Sequence, residues 1–178
     1  MNRPDGISDI VWETLEGPTY AKRYAWVLGH VEGRVLDIGC AQGHLACTLA
    51  LAGHEVTAID IVPGLVACTR RMQEANGCAF PANIGNAYAT GFADDSFDTV
   101  TITEVIEHLD DPASALAEAA RVAPHVIITC PAYLRIPHPG HVWDFTVAAL
   151  DELVASAGLR VIEHTVDEPW QYVEAVRA

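Results

Sequence analysis

Hydrophobic and polar positions divide the chain into short, compact apolar runs and longer segments with helical spacing. The compact runs are rich in β-branched and apolar residues and end at glycine or polar residues, as buried strands do. They are RVLDIG (34–39), EVTAID (55–60), FDTVTITEV (97–105) and HVIITCPA (125–132), with a weaker candidate in CAFPANIGN (78–86). The segments LRVIEHTV and WQYVEAVR predict two further strands at the end of the chain.

Helical spacing fills the intervals between these strands. Pro112 suits the first turn of one helix, Thr146 is a plausible N-cap of another, and Gly158 marks the end of that second helix. Apolar strands that alternate with helices predict an α/β fold with a mostly parallel sheet of seven strands and helices on both faces. The closing pair of strands predicts one antiparallel strand at the edge. A length of 178 residues suits a single domain.

The charge of the chain limits its partners. A formal net charge of −14 and an isoelectric point near 4.7 make nucleic acid an improbable ligand, since a phosphate backbone would be repelled. The sequence has no apolar run of membrane-spanning length, and its five cysteines form no CxxC pair. Residues 1–17 have neither a basic start nor an apolar stretch, so we expect no signal peptide. We expect a cytoplasmic protein without membrane association and with reduced thiols.

The most informative segment is VLDIGCAQG (35–43), in which a predicted strand leads through Asp37, Gly39 and Gly43 into a helix. Backbone N–H groups at such a turn favour a polar or anionic group of a ligand. Asp60 ends the next strand, where a carboxylate accepts hydrogen bonds from a ribose diol. The combination predicts a cofactor that contains a nucleoside.

The glycine spacing discriminates between cofactors. Dinucleotide sites require G-x-G-x-x-G, whereas here Gly39 is followed by Cys40, Ala41, Gln42 and Gly43. Asp37 would repel a pyrophosphate but suits a cationic ligand that carries an amino acid, such as S-adenosylmethionine (SAM). A nicotinamide-dependent oxidoreductase is therefore disfavoured.

With these motifs the sequence resembles the class I SAM-dependent methyltransferases, especially those with the ubiquinone/menaquinone-type methyltransferase signature. Four ordered motifs carry the resemblance: VLDIGCAQG, AID, GNAYATGFADDSFDTV and TEVIEHLDDP. The resemblance implies a Rossmann-like fold, an N-terminal helical lid over residues 1–33 and a SAM-binding core over residues 34–178. Ala41 departs from the usual glycine of the family, and Asn86 from the usual aspartate.

The resemblance also implies which residues meet the cofactor. Asp37, Gly39 and Gly43 would hold the methionine part, Asp60 the ribose, and Asn86 with the backbone of Ala87 the adenine. The full set of expected cofactor-binding residues is Asp37, Gly39, Cys40, Gly43, Asp60, Ile61, Asn86, Ala87, Thr103 and Glu104.

The stretch TEVIEHLDDP (103–112) also bears on the chemistry, because it places Glu104, Glu107 and His108 at the spacing i, i+3, i+4. Three interpretations compete. The favoured one makes these residues the polar lip of a pocket, which orders a neighbouring loop. A second makes His108, or a histidine of the 131–145 segment such as His138 or His141, a general base. The third is a divalent metal held by Glu104, Glu107 and His108 on one helical face, with a loop histidine such as His138 or His141. That pattern is similar to RNA 3′-terminal 2′-O-methyltransferases. We predict no metal and take His108 and His141 as the catalytic candidates.

The functional expectation is methyl transfer from SAM to a small-molecule acceptor, with O-methylation slightly favoured because histidines are available. Trp143 and Phe145 are candidates for an aromatic wall of the acceptor pocket or for anchoring the loop. The alternatives are a non-catalytic SAM-binding or regulatory protein of the same fold and the metal-assisted 2′-O-methyltransferase. The oligomeric state does not follow from the sequence.

Overall fold

A computed structural model describes residues 18–133 and 139–178 of the chain. The described residues form five α-helices, one short 3₁₀ turn and seven strands, and the chain divides into two compact units, residues 1–86 and 87–178. The strands form one sheet in the order β3-β2-β1-β4-β5-β7-β6. The predicted α/β fold with a mostly parallel seven-stranded sheet is therefore confirmed.

In the first unit the chain alternates strictly between helix and strand. Its elements are α1 (Pro18–His30), β1 (Arg34–Ile38), α2 (His44–Leu51), β2 (Glu55–Asp60), α3 (Pro63–Asn76) and β3 (Ala82–Ile84). β2 pairs in parallel with β1 on one side and with β3 on the other. The weak strand expected within residues 78–86 is thus real but only three residues long.

The second unit contains β4 (Thr99–Thr103), the 3₁₀ turn (Ile106–His108), α4 (Pro112–Val122), β5 (His125–Pro131), α5 (Val147–Ser156), β6 (Leu159–Asp167) and β7 (Trp170–Arg177). β4 and β5 are parallel, and all seven residues of β5 are buried, as in a central strand covered on both faces. β7 runs antiparallel to both β5 and β6. The antiparallel strand therefore lies one place inside the edge, which β6 occupies.

The predicted helix boundaries of the second unit follow local chemistry. Asp111 caps α4 by accepting a hydrogen bond from the backbone N–H of Ser114 at 3.1 Å, and Pro112 occupies the first turn. Thr146 caps α5 by accepting from the N–H of Ala149 at 3.2 Å.

Two predictions fall partly outside the described residues. The lid expected over residues 1–33 is described from α1 onward, so residues 1–17 lie outside. Residues 134–138 of the 131–145 segment, including His138, also lie outside. Within the described parts of the chain, no helix is both long and apolar enough to cross a bilayer.

Candidate functional site

The glycine loop of the first unit is a left-handed turn fastened to the end of β2. Gly39, Ala41 and Gly43 have φ angles of 75°, 48° and 84°. The N–H groups of Gly39 and Cys40 both donate to the carbonyl of Ile59, at 2.8 and 3.0 Å. The positive φ of Ala41 explains why the resembled family uses glycine there, because an L-residue in this region is strained.

Gly43 is required for a second reason, which is the packing of α2 on α3. A Cβ at this position would lie 2.6 Å from Cγ2 of Thr69. The hydroxyl of Thr69 donates to the carbonyl of Ala41 at 3.0 Å and lies 3.6 Å from the sulfur of Cys40. Thr69, which the motif analysis did not single out, therefore supports the loop from the neighbouring helix.

Asp60 joins the loop to the second motif. One carboxylate oxygen accepts from the N–H of Ala41 at 2.9 Å and the other from the N–H of Val62 at 2.8 Å. The side chain is nearly buried, with 7% of the residue exposed. Ile61, the next residue along the chain, is 63% exposed. Ile84, the register partner of Asp60 on β3, is 61% exposed.

Burial and charge keep the thiol next to the loop protonated. Desolvation, followed by the nearby carboxylate of Asp37, raises the pKa of Cys40 to about 12. Asp37 itself is 1% exposed, at the buried end of β1. Cys40 is thus a neutral side chain of the loop at physiological pH, and we assign it no nucleophilic role.

In the second unit Glu104 adopts an unusual backbone conformation directly after β4. Its φ is 56°, a region that L-residues rarely occupy and that is often found at functional sites. Thr129 on β5 holds it there twice: its carbonyl accepts from the N–H of Glu104 at 2.8 Å, and its hydroxyl donates to Oε1 at 2.9 Å. Thr103, the preceding residue, is partly buried and pairs with Thr129.

This conformation removes Glu104 from the helical face that the metal interpretation of the stretch assumes. The 3₁₀ turn begins at Ile106, and the side chain of Glu104 points to β5 instead. Among the described residues, the candidate ligand atoms that cluster within 4.8 Å belong to Glu107, His108 and His141, without Glu104. The i, i+3, i+4 spacing does not report this arrangement, because Glu104 precedes the 3₁₀ turn and has a left-handed backbone conformation.

The structure does bring the two catalytic candidates together. The rings of His108 and His141 meet edge to face with centroids 4.8 Å apart. Nδ1 of His108 is 2.8 Å from the carbonyl of Gly140, which can only accept, so Nδ1 carries a proton and Nε2 has the lone pair of the neutral ring. Nε2 lies 4.0 Å from the carboxylate of Glu107, and the side chain of Glu107 is only 1% exposed.

The 3₁₀ turn also fastens the described part of the loop after residue 138. The carbonyl of Glu107 accepts from the N–H groups of Val142 and Trp143, at 2.8 and 3.2 Å. The indole N–H of Trp143 donates to the carbonyl of Leu109 at 2.7 Å, and its ring stacks near that of Phe145, which is buried. Such hydrogen bonds are expected if residues 103–112 form a polar lip that orders the neighbouring loop.

A cleft of about 530 Å³ opens in the second unit beside these aromatic rings. Its lining combines Trp143 and Phe145 with four carboxylates. The acidic members are Asp110, Asp111, Asp144 and Glu152. Such a lining disfavours anionic ligands.

Sequence reasoning missed Thr129 and Thr69 as supports of the two motifs. A polar residue within the otherwise apolar run VIITC (126–130) was the available signal for Thr129. Thr69 lies on a mixed helix and gave no signal, because its role depends on the approach of α2.

Comparison with known proteins defines the class. The model of the family described as "Methyltransferase domain" matches residues 36–125, about half of the chain. The chain belongs to this family, which confirms the resemblance to class I SAM-dependent methyltransferases. SAM is thus the cofactor of the class of proteins to which this chain, with its glycine loop and Asp60, belongs.

Curated relatives carry a common name. Proteins named ubiquinone biosynthesis O-methyltransferase from Xanthomonas euvesicatoria pv. vesicatoria and Hahella chejuensis are 36% and 38% identical over 88 and 92 residues. These matches cover 49% and 51% of this chain and 37% and 38% of the relatives. The chain spans well under half the length of these curated relatives.

Solved structures agree on the fold. The PH0226 protein from Pyrococcus horikoshii OT3 matches with a TM-score of 0.76 at 17% identity, over 97% of this chain and 95% of that one. Magnesium protoporphyrin IX methyltransferase from Synechocystis PCC 6803, with bound SAH, matches with a TM-score of 0.72 at 22% identity over 90% and 82%. The [4+2]-cyclase SpnF scores 0.77 at 15% identity over 89% and 81%, so the fold alone does not imply methyl transfer.

Proposed function

We propose that this protein transfers a methyl group from SAM to a hydroxyl of a small-molecule acceptor in the cytoplasm. The observation that carries the proposal is the pairing of the left-handed glycine loop with Asp60 in a chain of the methyltransferase domain family. The name shared by the curated relatives supports a phenolic hydroxyl, such as that of a quinone precursor.

The residues of the first unit fit the cofactor. Each carboxylate oxygen of Asp60 accepts one backbone N–H and keeps a second lone pair, which a ribose hydroxyl can use. The exposed side chains of Ile61 and Ile84 offer apolar surface for a planar base. We assign the amino-acid end to Asp37, Gly39, Cys40 and Gly43, and the adenine edge to Asn86 and Ala87. Thr103 and Glu104 are assigned to the sulfonium end.

When bound, SAM supplies an electrophilic methyl group on a sulfonium centre. The protein then has to orient the acceptor and remove its proton, because a hydroxyl is a weak nucleophile until it is deprotonated. We assign this proton to Nε2 of His108, whose Nδ1–H is held by Gly140. His141 packs against that ring and is the second candidate base.

The acceptor we favour is neutral and aromatic. The carboxylates that surround Trp143 and Phe145 disfavour an anionic acceptor, while the two rings favour a planar one. The N-terminal segment 1–33 is proposed as a lid over the acceptor, with α1 as its described part.

A titration and a turnover assay test this function. Isothermal titration with SAM and S-adenosylhomocysteine should give micromolar binding, which Asp60→Ala weakens roughly tenfold or more through loss of charge-assisted hydrogen bonds. Transfer of radiolabelled methyl from SAM to catechol, compared with 3,4-dihydroxybenzoate, tests the acceptor class. Binding without transfer to any hydroxyl acceptor would favour the non-catalytic alternative.

Substitution of the histidines tests whether either of them acts as the base. Whichever of His108→Ala and His141→Ala removes the base should lower turnover by about 100-fold or more. The affinity for SAM should stay nearly unchanged. His54→Ala, in the first unit, serves as the control. Wild-type rates in both variants would exclude both histidines as the base. The interpretation of residues 103–112 as a polar lip that orders the loop would then remain.

A second candidate, metal-assisted methyl transfer, is favoured by the cluster of Glu107, His108 and His141. Turnover before and after EDTA treatment, with Mg²⁺ restored, distinguishes the two. Activity that is indifferent to EDTA supports the metal-free mechanism, and activity that EDTA abolishes and Mg²⁺ restores supports the metal.

A further inference from the structure

Two cysteines that are 31 positions apart in the sequence meet in the first unit. The thiol of Cys78 donates a hydrogen bond to the sulfur of Cys47 over 3.2 Å. Cys47 lies in the middle of α2, and Cys78 directly follows Gly77, which ends α3 in a left-handed conformation. Both thiols are free.

We propose that Cys47 and Cys78 are a redox modification site that forms a disulfide when the protein meets a peroxide. A disulfide bond is about 2.05 Å long, so the sulfurs need to approach by roughly 1.1 Å from their present contact. Cys78 lies beyond the last turn of its helix, where side-chain and backbone adjustment costs little. The proposal does not depend on methyl transfer.

The environments of the two thiols set the order of events. Cys47 is fully buried, and burial together with the hydrogen bond from Cys78 raises its pKa well above the ordinary value. Cys78 is half-buried and therefore more accessible to an oxidant. Cys78 is the thiol that reacts first, and Cys47 is the resolving thiol.

The chemistry balances with the peroxide as the two-electron oxidant. The sulfur of Cys78 attacks the peroxide, the O–O bond breaks, and a sulfenic acid and one molecule of water or alcohol result. The sulfur of Cys47 then attacks the sulfur of Cys78. The S–S bond forms, the S–O bond breaks, and the hydroxyl leaves as water with the proton of Cys47.

The location gives the crosslink a consequence for the cofactor loop. Cys47 lies one turn after Gly43, to whose carbonyl its N–H donates at 2.9 Å. Thr69 of α3 supports the same loop through Ala41. The disulfide would join the two helices on which the loop rests.

Peptide mapping of the folded protein after treatment with hydrogen peroxide tests the site. We expect a Cys47–Cys78-linked peptide that dithiothreitol removes, and a rise in Tm of about 5–10 °C for the oxidised protein, since the crosslink restricts the unfolded chain. Cys47→Ser should instead accumulate a sulfenic acid at Cys78 that dimedone traps. Cys68→Ser, which alters a half-buried thiol of α3, is the matched control and should keep the link.

Two results would overturn the proposal. One is equal dimedone labelling of Cys78 in the wild type and in Cys47→Ser, with no linked peptide. The other is a crosslink that forms in urea but not in the folded protein. Cys78→Ser, at the more exposed position, gives the same test if Cys47→Ser does not fold: it should abolish both the linked peptide and the rise in Tm.

Discussion

Gln171 is the buried polar side chain whose removal should most clearly destabilise the second unit. It is 1% exposed, and its amide N–H₂ donates to the carbonyls of Pro131 and Phe145, at 3.0 and 2.9 Å. Its oxygen lies 3.1 Å from Nε2 of His164. These contacts tie the two ends of the 131–145 segment to the start of β7.

Gln171→Leu would keep the volume but leave both carbonyls without this donor. A buried polar group that loses its partner costs about 1–3 kcal/mol, so we expect the free energy of unfolding to fall by about 2–4 kcal/mol. For a chain of this size that corresponds to a decrease in Tm of about 4–16 °C. Urea denaturation followed by circular dichroism measures the change, and an unaltered m-value would indicate that the denatured state is unaffected.

Gln73→Leu is the matched control. The amide of Gln73 donates to one carbonyl, that of Phe80, and the residue is half-buried, so its loss should cost about 0.5–1.5 kcal/mol. If Gln171→Leu lowers the free energy of unfolding no more than Gln73→Leu does, the argument is refuted that a buried amide donating to two carbonyls contributes more to stability.

Three further predictions concern backbone strain and pH. Ala41→Gly should raise the free energy of unfolding by up to about 1 kcal/mol, because relief of left-handed strain outweighs the greater entropy of the unfolded chain; a lower urea midpoint would contradict this. Gly43→Ala should cost about 1–3 kcal/mol more than Gly53→Ala, since both have positive φ but only the former Cβ would meet a neighbouring helix; equal urea midpoints would refute the packing argument. The ion pair with Arg121 lowers the pKa of Glu118 from 4.5 to about 2, so its contribution is present above pH 4.5 and is lost as the pH falls towards 2. Glu118→Gln should therefore lose less stability than the wild type over that interval in acid titrations followed by circular dichroism, and parallel curves would contradict the assignment.

Much of the fold follows from local sequence. The apolar runs, Pro112 and Thr146 each specify an element or a boundary through interactions within a few residues, and the structure has those elements in the predicted order. The glycine loop was likewise predictable, because Gly39 and Gly43 mark two of its left-handed positions in the sequence. The family signature then indicated the cofactor.

The metal interpretation of residues 103–112 loses one of its ligands because of a single backbone conformation. That interpretation placed Glu104, Glu107 and His108 on one helical face, yet Glu104 has a positive φ and its carboxylate accepts a hydrogen bond from Thr129 on β5. No periodicity of the sequence reports such a backbone conformation, because it is stabilised by hydrogen bonds to another strand.

By itself the sequence therefore determined the order of strands and helices, the glycine turn and the carboxylate that ends β2. The tertiary structure decided which distant side chains meet: His108 with His141, Cys47 with Cys78, and Gln171 with the carbonyls of Pro131 and Phe145. The physical reason is how far along the chain each interaction reaches. Turns, caps and strands depend on neighbours along the chain, whereas these contacts depend on how whole elements pack.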